Sequence, residues 1–211
     1  MIGIYLSGHP LDDYKIELDY YCTRGLKLND ISADLKAFKG KELLIGGIIT
    51  MVEHRTTKTG KPFGKFKLED YDGFLEFTLW SEDYLKFRNF MLEGLFVAVK
   101  CQVRSKNWGN DPSGDNVEMK ILHICLLDKL KETQNKALTL TLSIDTLSES
   151  VLNTIVESVN QHKGSNQLRI NLVEKESNTR LDTFSRKFKV DLNNDLIKVF
   201  TSLPDASWEL N

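Results

Sequence analysis

Residues 42–80 read ELLIGGIITMVEHRTTKTGKPFGKFKLEDYDGFLEFTLW. The first part, 42–55, is apolar and β-branched, with Gly46 and Gly47 in its middle. Branched side chains suit a pleated chain, and glycine inside a strand marks a bulge or bend, so a long bent strand is expected, irregular at the glycine pair. Thr59-Gly60-Lys61-Pro62 is a turn signal, because glycine and proline both break the ladder. From Phe63 to Glu69 alternation assigns Phe66 and Leu68 to one face and Phe63, Lys65 and Lys67 to the other. Asp70-Tyr71-Asp72-Gly73 reads as a hairpin turn. The third strand, 74–80, then turns Leu75, Phe77 and Leu79 to one side, and Trp80 is expected to plug the end of the structure.

Working outward, 81–90 reads as a helix with Ser81 as its N-cap, 95–104 as a fourth strand, 105–116 as a polar loop and 117–127 as a fifth strand. Five strands with a helix between the third and fourth is the order of an OB-fold, a five-stranded β-barrel that a long bent first strand helps to close. This domain is placed at 41–128, after a lead-in (1–40) with short helices near 14–21 and 31–38. Residues 129–136 (KLKETQNK) read as a charged linker. A small α+β domain fills 137–211. It comprises a strand at 137–144, a helix over 148–161, strands at 168–174 and 180–192, and a helix at 196–203. The first helix carries the stripe Val151, Leu152, Ile155, Val156 and Val159, with Gly164 expected as its C-cap.

The 211 residues carry 41% hydrophobic and 27% charged side chains, enough to bury a real core. The net charge of −2 confines any nucleic-acid binding to a local patch. Three scattered cysteines, Cys22, Cys101 and Cys125, do not make a disulfide framework and fit a reducing cytosol. No apolar run nears the roughly 20 residues that span a membrane, and MIGIYLSGHP lacks the basic n-region and long apolar stretch of a signal peptide. A cytoplasmic location and no membrane partner are therefore expected.

Enzymes show themselves through convergent polar groups, and none stands out. His9, His54, His123 and His162 lack zinc-like spacing to cysteines, so neither metal nor cofactor is expected. GKPFGK (60–65) is one residue short of a phosphate loop and lacks its Ser or Thr. Ser7 and His9 have no nucleophile-elbow context, and Asp70 with Asp72 reads as a turn. The informative stretch is 54–68, which carries Arg55, Lys58, Lys61, Lys65 and Lys67 with no acid among them. On an OB-fold these residues form the loop joining strands one and two, and strand two itself, the surfaces on which oligonucleotides bind. Arg104, Lys106 and Trp108 belong to the loop joining strands four and five. Cations follow phosphates and rings stack bases, so Phe63 and Trp108 are candidate platforms, while Phe66 is core. Phe63 fits loop packing equally, and the lysines also serve as a solubilising strand face.

YLSGHPLDDY (5–14) and RTTKTGKPFGKFKLEDYDGFLEFTLWSEDY (55–84) together closely resemble the C-terminal part of the bacterial replicative DNA polymerase III alpha subunit family. HKGSNQLRINLVE (162–174) and FSRKFKVDLNNDLIKVF (184–200) are similar to its last domain. The resemblance implies an OB-fold that contacts single-stranded template DNA through Arg55, Lys58, Lys61, Phe63 and Lys65. It implies a last domain, about 137–211, that binds the tau subunit of the clamp loader, and further contacts with the rest of a polymerase chain. Loop 105–116 departs from the family pattern, being longer and more acidic, which weakens the assignment of Lys106 and Trp108. The family's catalytic carboxylates lie upstream of the matching segments, so this chain is expected to be non-catalytic. The alternative is an interaction scaffold whose OB-fold does not bind DNA.

Overall fold

The computed structural model describes residues 8–106, 116–133, 137–174, 177 and 179–211. The chain divides into two compact units, Met1–Thr133 and Gln134–Asn211.

Among the described residues the first unit holds a five-stranded antiparallel sheet in the order β3-β2-β1-β4-β5. These strands are β1 (Glu42–Thr56), β2 (Pro62–Glu69), β3 (Phe74–Trp80), β4 (Phe96–Ser105) and β5 (Val117–Leu126). β1 serves two partners. Its first half, Glu42 to Ile48, pairs with β4, and its second half, Ile48 to Thr56, pairs with β2. The register shifts between Ile49 and Met51, three residues past the glycine pair where the irregularity was expected. The glycines serve close packing instead. A Cβ on Gly47 would lie 2.4 Å from the Glu69 carbonyl oxygen, and one on Gly46 2.5 Å from Leu18.

The ladder ends at β3 and β5, yet both edge strands feed one core. Phe77 and Leu79 from β3 join Ile121 and Ile124 from β5 around the fully buried Phe66 and Leu68. An ion pair of Lys120 on β5 with Asp83 on helix α2 (Ser81–Phe87) also draws the two edges together. This is an OB-fold.

The lead-in is integral to this unit. Leu11, Ile16 and Tyr21 are buried, and Tyr14 stacks on Phe96 at 4.7 Å. The Tyr71 hydroxyl donates to Asp12 at 2.9 Å, with the His9 ring 4.5 Å from that of Tyr71. Helix α1 (Leu28–Ala33) starts where Asp70 accepts from the Leu28 N–H, while its other oxygen accepts from Asp72 and Gly73. A carboxylate holding three backbone donors fixes both the hairpin turn and the helix start. The expected linker is in part helix. α3 (Leu127–Thr133) buries Leu127 and Leu130, and Lys131 pairs with the buried Glu17 at 2.8 Å. Two leucines three apart supplied an apolar edge that the surrounding charges masked.

The second unit is α+β, with a four-stranded sheet in the order β8-β7-β6-β9. β6 (Leu138–Ser143) leads through helix α4 (Glu149–Gln161) to a parallel partner, β7 (Lys163–Glu174). β8 (Thr179–Val190) returns antiparallel, followed by helix α5 (Asn194–Ser202) and β9 (Ser207–Leu210), four residues too short to show a period. Ser148 and Asn193 cap the two helices, accepting from the Val151 and Leu196 N–H groups. Of the apolar stripe on α4, Ile155 and Val159 are buried, whereas Leu152 and Val156 are exposed. Gly164 is not the C-cap, since His162 ends the helix. It lies in β7, where a Cβ would meet the Asp191 nitrogen at 2.4 Å.

Candidate nucleic-acid interface

The outward face of β1, β2 and β3 follows from register, since directly paired residues share a face. Arg55 faces Phe63, which faces Trp80. Glu53 faces Lys65, which faces Thr78; Met51 faces Lys67, which faces Glu76; and Glu69 faces Phe74. Phe63 and Trp80 stack, centroids 4.7 Å apart and planes at 21°. Trp80 is 56% exposed, so it does not plug the barrel as expected. Parity decides this: with Phe77 and Leu79 inward, Trp80 shares the outer face with Phe74. Ser81, at φ 44°, turns the chain into α2 without capping it. Behind the sheet Gly64 leaves room for Tyr84, whose ring carbons would lie 2.9 Å from a Cβ there, and the Tyr84 hydroxyl meets His54 Nδ1 at 3.1 Å.

The loop between β1 and β2 is a closed turn. The Thr57 N–H donates to the Lys61 carbonyl at 2.9 Å, the Gly60 N–H to the Thr57 carbonyl, and the Lys61 N–H to the Thr57 hydroxyl. Gly60 has φ 79°, a left-handed conformation in which a side chain would be strained. Lys58 and Lys61 are thereby presented at the exposed rim.

The cations are not equivalent. The Arg55 guanidinium pairs with Glu53 at 2.9 Å, and the Lys67 ammonium sits 3.8 Å over the Phe74 ring. Lys58, Lys61 and Lys65 carry no ion pair among the described residues. Glu53, Glu69 and Glu76, drawn from three strands, share the face with the lysines, so the charge is far less one-sided than the linear stretch suggested. Arg104 is held by Glu118 at 2.8 Å, and the Lys106 N–H donates to the Asn116 carbonyl. Register puts them beyond the Glu42 end of β1, whereas Arg55 lies at the other end. Trp108 lies outside the described residues. Sequence reasoning placed Phe63, Lys65 and Lys67 on one strand face with Arg55, Lys58 and Lys61 in the loop before it; the register joins Arg55 to that face and leaves Lys58 and Lys61 on the turn at its rim. Sequence reasoning missed Trp80 and Phe74, although the alternation of strand three pointed outward for both.

No group of three potential metal ligands occurs among the described residues, and no helix among them is long and apolar enough to cross a membrane. Burial pushes the thiols of Cys22 and Cys101 up to about 12, so neither is a ready nucleophile at neutral pH.

Residues 43–127 match the family model for an OB-fold nucleic acid binding domain, and residues 138–211 match the DNA polymerase III alpha subunit, C-terminal domain. The chain resembles the C-terminal part of DNA polymerase III alpha. A DNA polymerase III subunit alpha of Pseudomonas aeruginosa is 23% identical over 197 residues, covering 93% of this chain and 16% of that protein. The Escherichia coli K12 subunit is 25% identical over 77% of this chain and 13% of its own length. The Borreliella burgdorferi subunit is 35% identical over 100 residues, 47% of this chain and 8% of its own. The chain therefore spans less than a fifth of the length of these curated relatives. A solved Entamoeba histolytica asparaginyl-tRNA synthetase covers 58% of the chain at 14% identity with a TM-score of 0.29, too slight a likeness to bear on function.

Proposed function

We propose that this chain is a non-catalytic part of a replicative DNA polymerase III alpha subunit, in which the OB-fold holds single-stranded template DNA and the second unit binds the tau subunit of the clamp loader. The observation that carries the DNA reading is the stack of the half-buried Phe63 on the exposed Trp80, beside Lys58, Lys61 and Lys65. Stacked rings take bases without regard to sequence, and neighbouring ammonium groups take the phosphates between them, which suits a template of any sequence. The tau reading rests on the resemblance of residues 138–211 and on exposed Leu152 and Val156, one turn apart on α4, an apolar pair open to a protein partner. The interleaved Glu53, Glu69 and Glu76 favour the rival reading, a scaffold whose OB-fold binds protein alone.

Fluorescence anisotropy of a labelled single strand distinguishes the two. The DNA reading expects binding that weakens on replacing Phe63 or Trp80, and double-stranded DNA of equal length binding less well. A chain that shows no binding near about 50 mM salt, where phosphate contacts are strongest, supports the scaffold. For tau, Leu152→Asp with Val156→Asp should abolish co-elution with tau and leave DNA binding intact. Undiminished co-elution sinks that assignment.

A further inference from the structure

Among the described residues of the second unit, α4 and α5 cover one face of its sheet. Leu138, Leu140, Leu142 and Leu168 are buried together with Ile155 and Val159 of α4 and Leu196 and Phe200 of α5. Residues of the other parity form the opposite face. Register sets Phe184 beside Arg169, Arg169 beside Thr139, and Thr139 beside Glu209, one row across all four strands. That face is a trough of about 340 Å³ over Thr139, Asn171 and Asp182, continued by about 570 Å³ toward Ser185, Arg186 and Lys189. Arg169, Phe184, Gln167 and Asn211 line both parts.

Its chemistry is uneven in a telling way. Phe184 is 55% exposed on an otherwise polar sheet face, with the Arg186 guanidinium carbon 5.6 Å from its ring centre. Arg169, Arg186 and Lys189 make no ion pair among the described residues. The acids of the trough are already engaged. Asp182 is paired with Arg180 at 2.6 Å, and Glu209 accepts from the Asn211 amide at 3.2 Å. Asn171, only 4% exposed on the floor, offers an amide that both donates and accepts. An open sheet face with an exposed ring, unpaired cations around it and an amide beneath matches what a single strand requires: a surface for a base, charge for its phosphates and a partner for a base edge.

We propose that this open face is a second site for single-stranded nucleic acid, with Phe184 as the base platform and Arg169, Arg186 and Lys189 as the phosphate contacts. The site stands on residues of the second unit alone and does not depend on the OB-fold binding DNA.

The test uses the intact chain and photocrosslinking to oligonucleotides carrying 5-iodouracil, one of deoxyribose and one of ribose, with crosslinks mapped by mass spectrometry. Crosslinks at or beside Phe184 are expected, and they should persist when Lys58, Lys61 and Lys65 are all alanine, which removes the phosphate contacts of the first unit. In that background, Arg169→Ala with Arg186→Ala and Lys189→Ala should weaken the remaining binding by about tenfold or more, and Phe184→Leu by about fivefold or more. Equal affinity for the two sugars leaves the site blind to strand type, and a preference names the natural ligand; both sustain it. Crosslinks confined to the first unit, or loss of all binding in the first-unit variant, overturn the proposal. So does an equally charged acidic peptide that displaces the strand as readily as another oligonucleotide does, for the trough then reads charge alone. The crosslinks at Phe184 are also mapped on the unaltered chain, and that outcome does not depend on how the variants fold.

Discussion

Replacing Lys58, Lys61 and Lys65 together by alanine tests the reading of the OB-fold face most directly. The stretch holds five cations, but Arg55 is already matched by Glu53 at 2.9 Å, and Lys67 lies over Phe74 with Glu76 opposite. Three cations remain to meet phosphates. Each phosphate neutralised on a single strand contributes about −0.7 to the slope of log affinity against log salt, so three give about −2.1. A fourfold rise in salt, from about 50 to about 200 mM, then weakens binding roughly 18-fold, whereas five free cations would give a slope of about −3.5 and a loss above about 100-fold. In the triple variant the slope should fall near zero, leaving the salt-insensitive stacking on Phe63 and Trp80. Single lysine variants should each remove about 0.7 from the slope. The assay is anisotropy of a labelled oligonucleotide at three salt concentrations, on chains whose second unit carries the Arg169, Arg186 and Lys189 replacements so that one surface is read at a time. A triple variant that keeps the parent's slope refutes the assignment of these lysines. A parent slope of about −3.5 refutes the claim that Glu53 and Glu76 hold Arg55 and Lys67 back.

Three further outcomes follow from local geometry. Trp80→Ala should weaken single-strand binding by about 1–3 kcal/mol while barely moving the thermal midpoint, because the ring is largely exposed; a large stability loss with unchanged binding would restore the barrel plug. Gly164→Ala should destabilise the second unit by about 1–3 kcal/mol in denaturant titration, since backbone rather than a yielding side chain stands 2.4 Å from the added carbon. Tyr71→Phe should raise the titration midpoint of Asp12. The Tyr71 hydroxyl and then the His9 N–H hold that carboxyl below its ordinary value, so their contribution is present above the unfolded value and lost as pH falls through the folded one. An Asp12 carboxyl that titrates unchanged by NMR in the variant would show that the hydrogen bond does not form in solution.

The strands of the first unit were legible because each carries its own period. Phe66 and Leu68 against Phe63 and Lys65 is the pattern of a half-buried strand, and the structure buries the first two, exposes Lys65 and leaves Phe63 half-buried against Trp80. What the sequence concealed was cross-strand. Glu53 and Glu76 lie outside the basic stretch in the chain but opposite Lys65 and Lys67 in space, so a linear charge count overstated the patch. The bulge was misplaced for a related reason. Gly46 and Gly47 look like a break in the ladder, yet they are small because Leu18 and the Glu69 carbonyl press against them. Gly164 was misread in the same way, as an end of a helix where it is a point of close backbone contact. Glycine announces that something needs space without saying whether the need is local or comes from across the fold.

β1 is a shared seam. Its Glu42–Ile48 half belongs with β4, β5 and the lead-in, and its far half belongs with β2 and β3, with the register shift between them. Fraying that begins at the β1–β2 turn is therefore expected to reach Arg55, Thr56, Pro62 and Phe63 first, ahead of the buried Phe66 and Leu68 that tie β2 to the core. Amide protons of Arg55, Thr56 and Phe63 should exchange through that fraying, ahead of those on Leu43 to Ile48, whose exchange should need unfolding of the unit. If the face binds a single strand as proposed, its least protected rim is the part that meets irregular, unstacked bases, and it can adapt to them at little expense to the stability of the domain.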